Sequence, residues 1–268
     1  MFTDMMGNQV EVAFPPKRII SLLPSQTELL YDLGLNEEVV GITKFCVHPT
    51  QWFKTKTRVG GTKNVNIEKV HSLQPDLIIA NKEENTKEQI EELARFYPVW
   101  VGDIQTVDQA LAMIRNVGML VGKSEQAATI IAEIENGFNG LLQAREKIGR
   151  SKRVAYFIWR KPWMCAGGDT FINDMLIKAG MENVLAAQMR YPTIELDELN
   201  SLNPGLILLS SEPFPFRQEH VNEIKLALPV AEVVLVDGEM LSWYGSRMRL
   251  APAYLQKLIS SPAGSGTL

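Results

Sequence analysis

Aromatic side chains and a few cations gather in the stretches that interrupt apolar runs. Phe45, Trp159, Trp163, Tyr191, Phe214, Phe216, Trp243 and Tyr244 all fall in such places. Trp159 and Trp163 bracket Arg160-Lys161-Pro162. Aromatic rings bury large areas and offer flat faces to bulky or planar ligands. Packing within the chain, or a partner surface, would call on the same residue types. Cys46-Val47-His48 offers two metal ligands, whereas a tight site wants three or four, so direct metal ligation is not expected. His48 as an axial ligand to a metal already held in a macrocycle remains open beside the plainer reading of a packed loop histidine. No nucleophile elbow, phosphate loop, dinucleotide fingerprint or HExxH zinc motif is present. Three histidines, only one of them near an expected strand end, give a Ser–His–Asp set no local support. The residues point to capture rather than catalysis, and no catalytic residue is assigned.

Regular elements must position these loops. Arg18-Ile-Ile-Ser-Leu-Leu reads as a buried parallel strand stopped by Pro24, with Ser25 as the cap of a helix running to Gly34. Val39-Val-Gly-Ile-Thr, Asp76-Leu-Ile-Ile-Ala and Val99-Trp-Val follow as strands, with helices expected over 67–73 and 86–96. Thr106 and Gln109 read as a capping box for a helix ending near Gly122. Residues 124–147 then read as one helix of about 36 Å at 1.5 Å per residue, longer than a βα crossover needs. After it the alternation restarts: a strand at Arg153-Val-Ala-Tyr-Phe-Ile-Trp, a helix capped by Asp169, a short helix over 196–202, the strand Leu206-Ile-Leu-Leu, a helix over 220–228, the strand Val233-Val-Leu-Val and a helix over 247–259. The tail 260–267 reads as frayed. Strands alternating with helices imply parallel α/β sheets.

An internal repeat divides the chain. VNIEKVHSLQPDLII (65–79) aligns without gaps to IELDELNSLNPGLIL (194–208), an offset of 129 residues. Each copy is a short helix, a Leu-x-Pro break and a buried strand, because proline cannot continue the helical ladder. The repeat implies two similar α/β lobes flanking the long helix, with domains over 1–123 and 149–268 and a bridging helix over 124–148. Ligands of parallel sheets bind beyond the carboxyl ends of the strands. Glu68 and Asp197 occupy equivalent positions, each opening a surface helix. An acid there suits the helix dipole, and equally suits a two-fold partner carrying arginines.

Bulk properties narrow the classes. A net charge of −4 suggests neither nucleic acid nor an anionic membrane as the main partner. No run approaches the ~18 apolar residues of a membrane helix. Two cysteines, Cys46 and Cys165, imply no disulfide framework and read as free thiols. The N-terminal residues carry an acid early and lack a basic region followed by an apolar one, so they do not read as a secretory signal.

RIISLLPSQTELLYDLG, VVGITKFCVHP, VNIEKVHSLQPDLIIA, RVAYFIWRKPWMCAGGDTFINDMLIKAG and ELNSLNPGLILL together resemble the cobalamin- and iron-siderophore-binding proteins of ABC importers, and the cobalamin branch most. The resemblance runs from Arg18 to about Leu258. It implies two lobes joined by one long backbone helix, a monomer with no resident cofactor, no catalysis, and capture of a corrinoid in a cleft between the lobes. The implied contacts are Pro24, Ser25, Phe45, Cys46, His48, Gly61, Thr62, Trp159, Lys161, Trp163, Tyr191, Phe216, Trp243, Tyr244 and Arg247. It also implies that Glu68 and Asp197, or Glu198 or Glu195 in place of the latter, dock on arginines of a permease dimer. A ferric siderophore or haem is the alternative ligand, with Arg160, Lys161, Arg217 and Arg247 as available cations. A cytoplasmic corrinoid-binding accessory protein is the alternative role. The family works in the periplasm or cell envelope, whereas a chain that starts at Met1 without a signal would stay in the cytoplasm.

Overall fold

A computed structural model describes residues 1–148 and 151–260. The tail expected to fray lies, beyond Ser260, outside them. The chain divides into two compact units. The first comprises Met1–Ile104, Asp108–Glu133 and Tyr244–Arg247; the second comprises Gln105–Val107, Ile134–Trp243 and Met248–Leu268.

Unit one opens with an antiparallel pair, β1 (Phe2–Thr3) and β2 (Gln9–Val10). Then come β3 (Ile19–Ser21), α1 (Pro24–Asp32), β4 (Val39–Ile42), α2 (Thr50–Thr55), β5 (Thr57–Arg58), α3 (Ile67–Leu73), β6 (Leu77–Asn81), α4 (Lys87–Ala94) and β7 (Val99–Gly102). Strands β3 to β7 form a parallel sheet in the order β5-β4-β3-β6-β7. Ile20, Leu22, Val59, Val70, Ile78 and Leu93 fill one of its faces. Full burial of β6 explains its unbroken apolar run.

Helices α5 (Val107–Leu120) and α6 (Ser124–Ile148) follow, and α6 runs from unit one into unit two. Unit two holds β8 (Arg153–Trp159), β9 (Met164–Cys165), α7 (Phe171–Lys178), β10 (Glu182–Asn183), α8 (Leu196–Ser201), β11 (Leu206–Ser210), α9 (Gln218–Ala227), β12 (Glu232–Val236), α10 (Glu239–Ser242) and α11 (Ala251–Ser260). Its parallel order is β10-β8-β11-β12, with β9 antiparallel to β8. The core packs Phe157, Leu199, Ile207, Leu209, Val221 and Ile224.

The sequence repeat is a repeat of hydrogen bonds. Arg18 donates to the carbonyls of Leu73 and Gln74, at 2.9 and 3.2 Å from Nε. Arg153 donates to those of Leu202 and Asn203, at 2.8 and 3.4 Å. Both arginines cap the carboxyl end of a short helix, where carbonyls lack partners. Gln74 and Asn203 both turn into left-handed backbone, at φ 45° and 51°, just before their prolines. The amides of Asp76 and Gly205 then bond the carbonyls of Arg18 and Arg153, each at 3.0 Å. Gly34 and Gly180 close α1 and α7 alike at positive φ.

Local expectations fail where tertiary contacts intervene. Ser25 does not cap α1; Leu23 is the N-cap, and Pro24 starts the helix because its fixed φ suits the first turn. Thr170, not Asp169, caps α7, its hydroxyl accepting the Asn173 amide. Asp169 instead accepts the Arg190 amide. The first amide of α5, from Val107, donates to Asp174 of α7 at 2.7 Å. The last expected helix begins as a 3-10 turn over Ser246–Arg249 before α11.

Candidate functional site

In unit one the carboxyl ends of β3 to β7 carry Pro24 and Ser25, the turn with Phe45, Cys46 and His48, and the turn with Gly61 and Thr62. Phe45 is 50% exposed, with the Lys44 ammonium 5.0 Å from its ring centre. It lies over Gly61, where a Cβ would approach the ring to 3.2 Å. Two asparagines brace these turns. The Asn85 amide donates to the carbonyls of Leu22 and Thr62, at 3.3 and 3.0 Å, and its oxygen accepts the Asn81 amide at 2.8 Å. The Asn81 side chain donates to Gly102 O. One amide pair thus links the turns after four of the five strands.

Cys46, one of the expected contacts, lies in the packing of unit one. It is buried, and Thr27 donates to its sulfur at 3.1 Å while Thr43 sits 3.2 Å from it. Burial pushes its thiol pKa up, so it is an inert packing thiol rather than a surface contact. Cys165 is likewise free and buried. Among the described residues, no cluster of three or more His, Cys, Asp or Glu could hold a metal ion.

The segment Tyr244–Arg247 belongs to unit one. Arg247 grips Glu28 of α1 through two bonds of 2.7 Å. A Cβ on Gly245 would lie 2.9 Å from the Ser25 carbonyl. Arg247 is thus already occupied by a carboxylate. Tyr244 is buried, while Thr62 is buried with its carbonyl taken by Asn85.

In unit two the corresponding ends carry an aromatic cluster. Trp163 stacks on Phe216, with planes 3° apart and centroids 6.1 Å apart. Phe157 meets Trp163 edge-on at 5.4 Å, and Phe214 meets Phe216 at 4.8 Å. Phe216 therefore packs in the core of unit two. Trp159, packed against Phe214 at 5.7 Å, keeps 40% of its surface exposed. Arg160 lies 5.2 Å over Trp163 and binds Glu223 through bonds of 2.9 and 2.8 Å. That hydrogen-bonded carboxylate raises the arginine pKa further. Lys161 is exposed at φ 66°, and Tyr191 is half-buried. Trp243 is buried, its indole N–H donating to Glu212 at 2.8 Å.

Sequence reasoning found the aromatics but missed the carboxylates Glu28, Glu212 and Glu223. Nothing local marks them; each is defined by a partner far along the chain. Asn81 and Asn85 left a weak signal, two amides four apart just after a buried strand. Glu68, Asp197, Glu195 and Glu198 are all exposed, Glu68 and Asp197 in the first turns of α3 and α8.

Each unit is thus a parallel α/β sheet with its loops at the strand ends. A family model described as periplasmic binding protein matches residues 19–227, and the chain belongs to that family. It is 29% identical over 212 residues to an uncharacterized ABC transporter substrate-binding lipoprotein, YvrC, of Bacillus subtilis, covering 76% of this chain and 67% of that one. It is 25% identical over 240 residues to a vitamin B12-binding protein of Pectobacterium carotovorum, covering 88% and 86%. The structure of a possible iron-binding (periplasmic solute-binding) protein of Staphylococcus epidermidis matches with a TM-score of 0.79 at 25% identity, covering 92% of this chain and all of that one. As a member of that family the chain is a solute-binding protein, not an enzyme. Among the described residues no helix is long and apolar enough to cross a membrane.

Proposed function

We propose that the ligand is a corrinoid of the cobalamin type, captured without covalent change by the loops at the strand ends and passed to the permease. One observation carries this reading. The arginines best placed to grip an anionic chelate, Arg160 and Arg247, are spent on Glu223 and Glu28, while the aromatic faces of Phe45 and Trp159 stay exposed. A bulky, largely uncharged ligand uses flat apolar faces; an anionic chelate needs uncommitted cations. Ser25, His48, Trp163, Tyr191, Trp243 and Tyr244 are further proposed contacts. Glu68 and Asp197 are the proposed docking acids, their equivalence under the repeat suiting a two-fold permease.

The exposed ammonium groups of Lys44 and Lys161 favour a second reading, a ferric siderophore or haem. Single alanine variants separate the two. The corrinoid reading expects Phe45→Ala and Trp159→Ala each to weaken cyanocobalamin binding about tenfold, or about 1.4 kcal/mol. Lys44→Ala with Lys161→Ala should change it less than about twofold. The reverse order, or tight binding of a ferric siderophore that depends on the lysines, would overturn the corrinoid reading.

A further inference from the structure

One partly buried carboxylate in unit two has no role in what precedes. Glu212 follows β11, and its Oε1 accepts two hydrogen bonds of 2.8 Å, from the Ser242 hydroxyl and the Trp243 indole N–H. Both donors end α10. The two loops are sewn together elsewhere as well. Ser210 donates to the Glu212 carbonyl, and the Gly238 amide donates to Ser211 at 2.9 Å. Gly238 has no room for a side chain: a Cβ there would sit 2.4 Å from the Ser210 hydroxyl and 2.7 Å from Glu212 Cγ. The loops after β11 and β12 therefore meet tightly at this acid.

The proton count around it is unusual. The Ser242 hydroxyl has one hydrogen and two acceptors in reach, Glu212 Oε1 at 2.8 Å and Gly238 O at 2.9 Å. With Glu212 ionised, that hydrogen and the indole N–H both point at the carboxylate. With Glu212 protonated, its own hydrogen reaches Ser242, and Ser242 turns to Gly238 O. One proton thus shifts the bonding from a carboxylate gripped by two donors to a relay that leaves the Trp243 bond the weaker, neutral kind. The charged groups acting on Glu212 are Asp237, beyond β12, and Glu239, on α10, both acids. The phenol of Tyr156, on β8, hydrogen-bonds Ser210 and also feels the charge of Glu212 directly. Like charge and burial both favour the protonated form.

We propose that Glu212 is a proton-linked positioning residue for Trp243, whose ionisation fixes the indole and thereby sets the strength of ligand capture. Burial raises its pKa above the ordinary carboxylate value, against the two hydrogen bonds that lower it. The effect on capture rests on the corrinoid reading; the effect on the indole does not.

Two measurements test it and keep the parts distinct. The Trp243 indole N–H resonance, assigned by its loss in Trp243→Phe, is followed by NMR from about pH 5 to about pH 8. In the parent protein it should titrate as one proton leaves, moving downfield as the bond strengthens. In Glu212→Gln, the isosteric variant, it should be flat. A flat parent resonance, or the same titration in Glu212→Gln, overturns the proposal. Cyanocobalamin affinity over the same range should fall several-fold on acidification in the parent and by less than twofold in Glu212→Gln. Equal pH dependence in both would overturn the link to capture. An indole that titrates in a protein that binds no cyanocobalamin at any pH would support the positioning role while sinking the corrinoid reading.

Discussion

Unit one and unit two share a scaffold down to individual hydrogen bonds, yet furnish their strand ends in different ways. In unit one an amide pair, Asn81 and Asn85, braces the turns, and Phe45 stands over them half exposed. In unit two the turns are braced by rings: Trp163 on Phe216, Phe214 beside both, and Trp159 at the margin. Arg18 and Arg153 do the same work in each, capping the repeated helix. What repeats is the mechanics that hold strand to helix. What diverges is the surface offered beyond the strands, as expected where loops carry function on a rigid frame.

The largest effects should come from breaking the shared mechanics. Gly60 sits at φ 108° with the Asn64 carbonyl 2.5 Å from where a Cβ would be, and the same test at Gly168 meets the Ala186 carbonyl at 2.0 Å. Alanine at either should cost about 3 kcal/mol in urea unfolding, because backbone must move in both units. A near-neutral result at one would show that its turn has slack the other lacks. Glu28→Ala should cost about 2–3 kcal/mol by removing the carboxylate that the mostly buried Arg247 grips, and the double variant with Arg247→Met should recover much of it. Arg18→Ala and Arg153→Ala should each cost about 1 kcal/mol and agree closely with one another. Clearly unequal losses would break the equivalence of the two caps.

A smaller effect concerns Glu212 and has a definite sign. Burial raises its pKa in the folded state. Its contribution to stability is therefore complete below the unfolded carboxylate pKa and is lost as pH rises through the folded value. Glu212→Gln should match the parent in unfolding free energy near pH 4 and exceed it slightly, by up to about 1 kcal/mol, near pH 8. A variant less stable than the parent at both values would mean that the carboxylate's bonds outweigh its burial.

Much of the frame was legible in the sequence. The helix–proline–strand unit could be read because the proline and the apolar run are local signals that recur 129 residues apart. The long helix α6 could be read from periodicity alone. The caps were less legible, since Pro24, Thr170 and Asp174 won their roles through backbone geometry and distant partners. Helix α2 was missed because Thr50–Thr55 is short and has no repeating apolar face. At the site, aromatic identity was legible and exposure was not. Nothing in the sequence distinguishes Phe45, half exposed, from Phe216, packed under Trp163. The same holds for Arg160 and Arg247, which look available until Glu223 and Glu28 are found beside them.

The central claim is that these loops suit a bulky, largely uncharged corrinoid because Arg160 and Arg247 are already paired and the rings of Phe45 and Trp159 are exposed. Calorimetric titration with cyanocobalamin and, separately, with a ferric siderophore tests it most directly. The account predicts saturable binding of cyanocobalamin with Kd below about 10 μM, roughly −7 kcal/mol or stronger, and at least tenfold weaker binding of the chelate. No cyanocobalamin binding at tens of micromolar, with tight binding of the chelate, would contradict it.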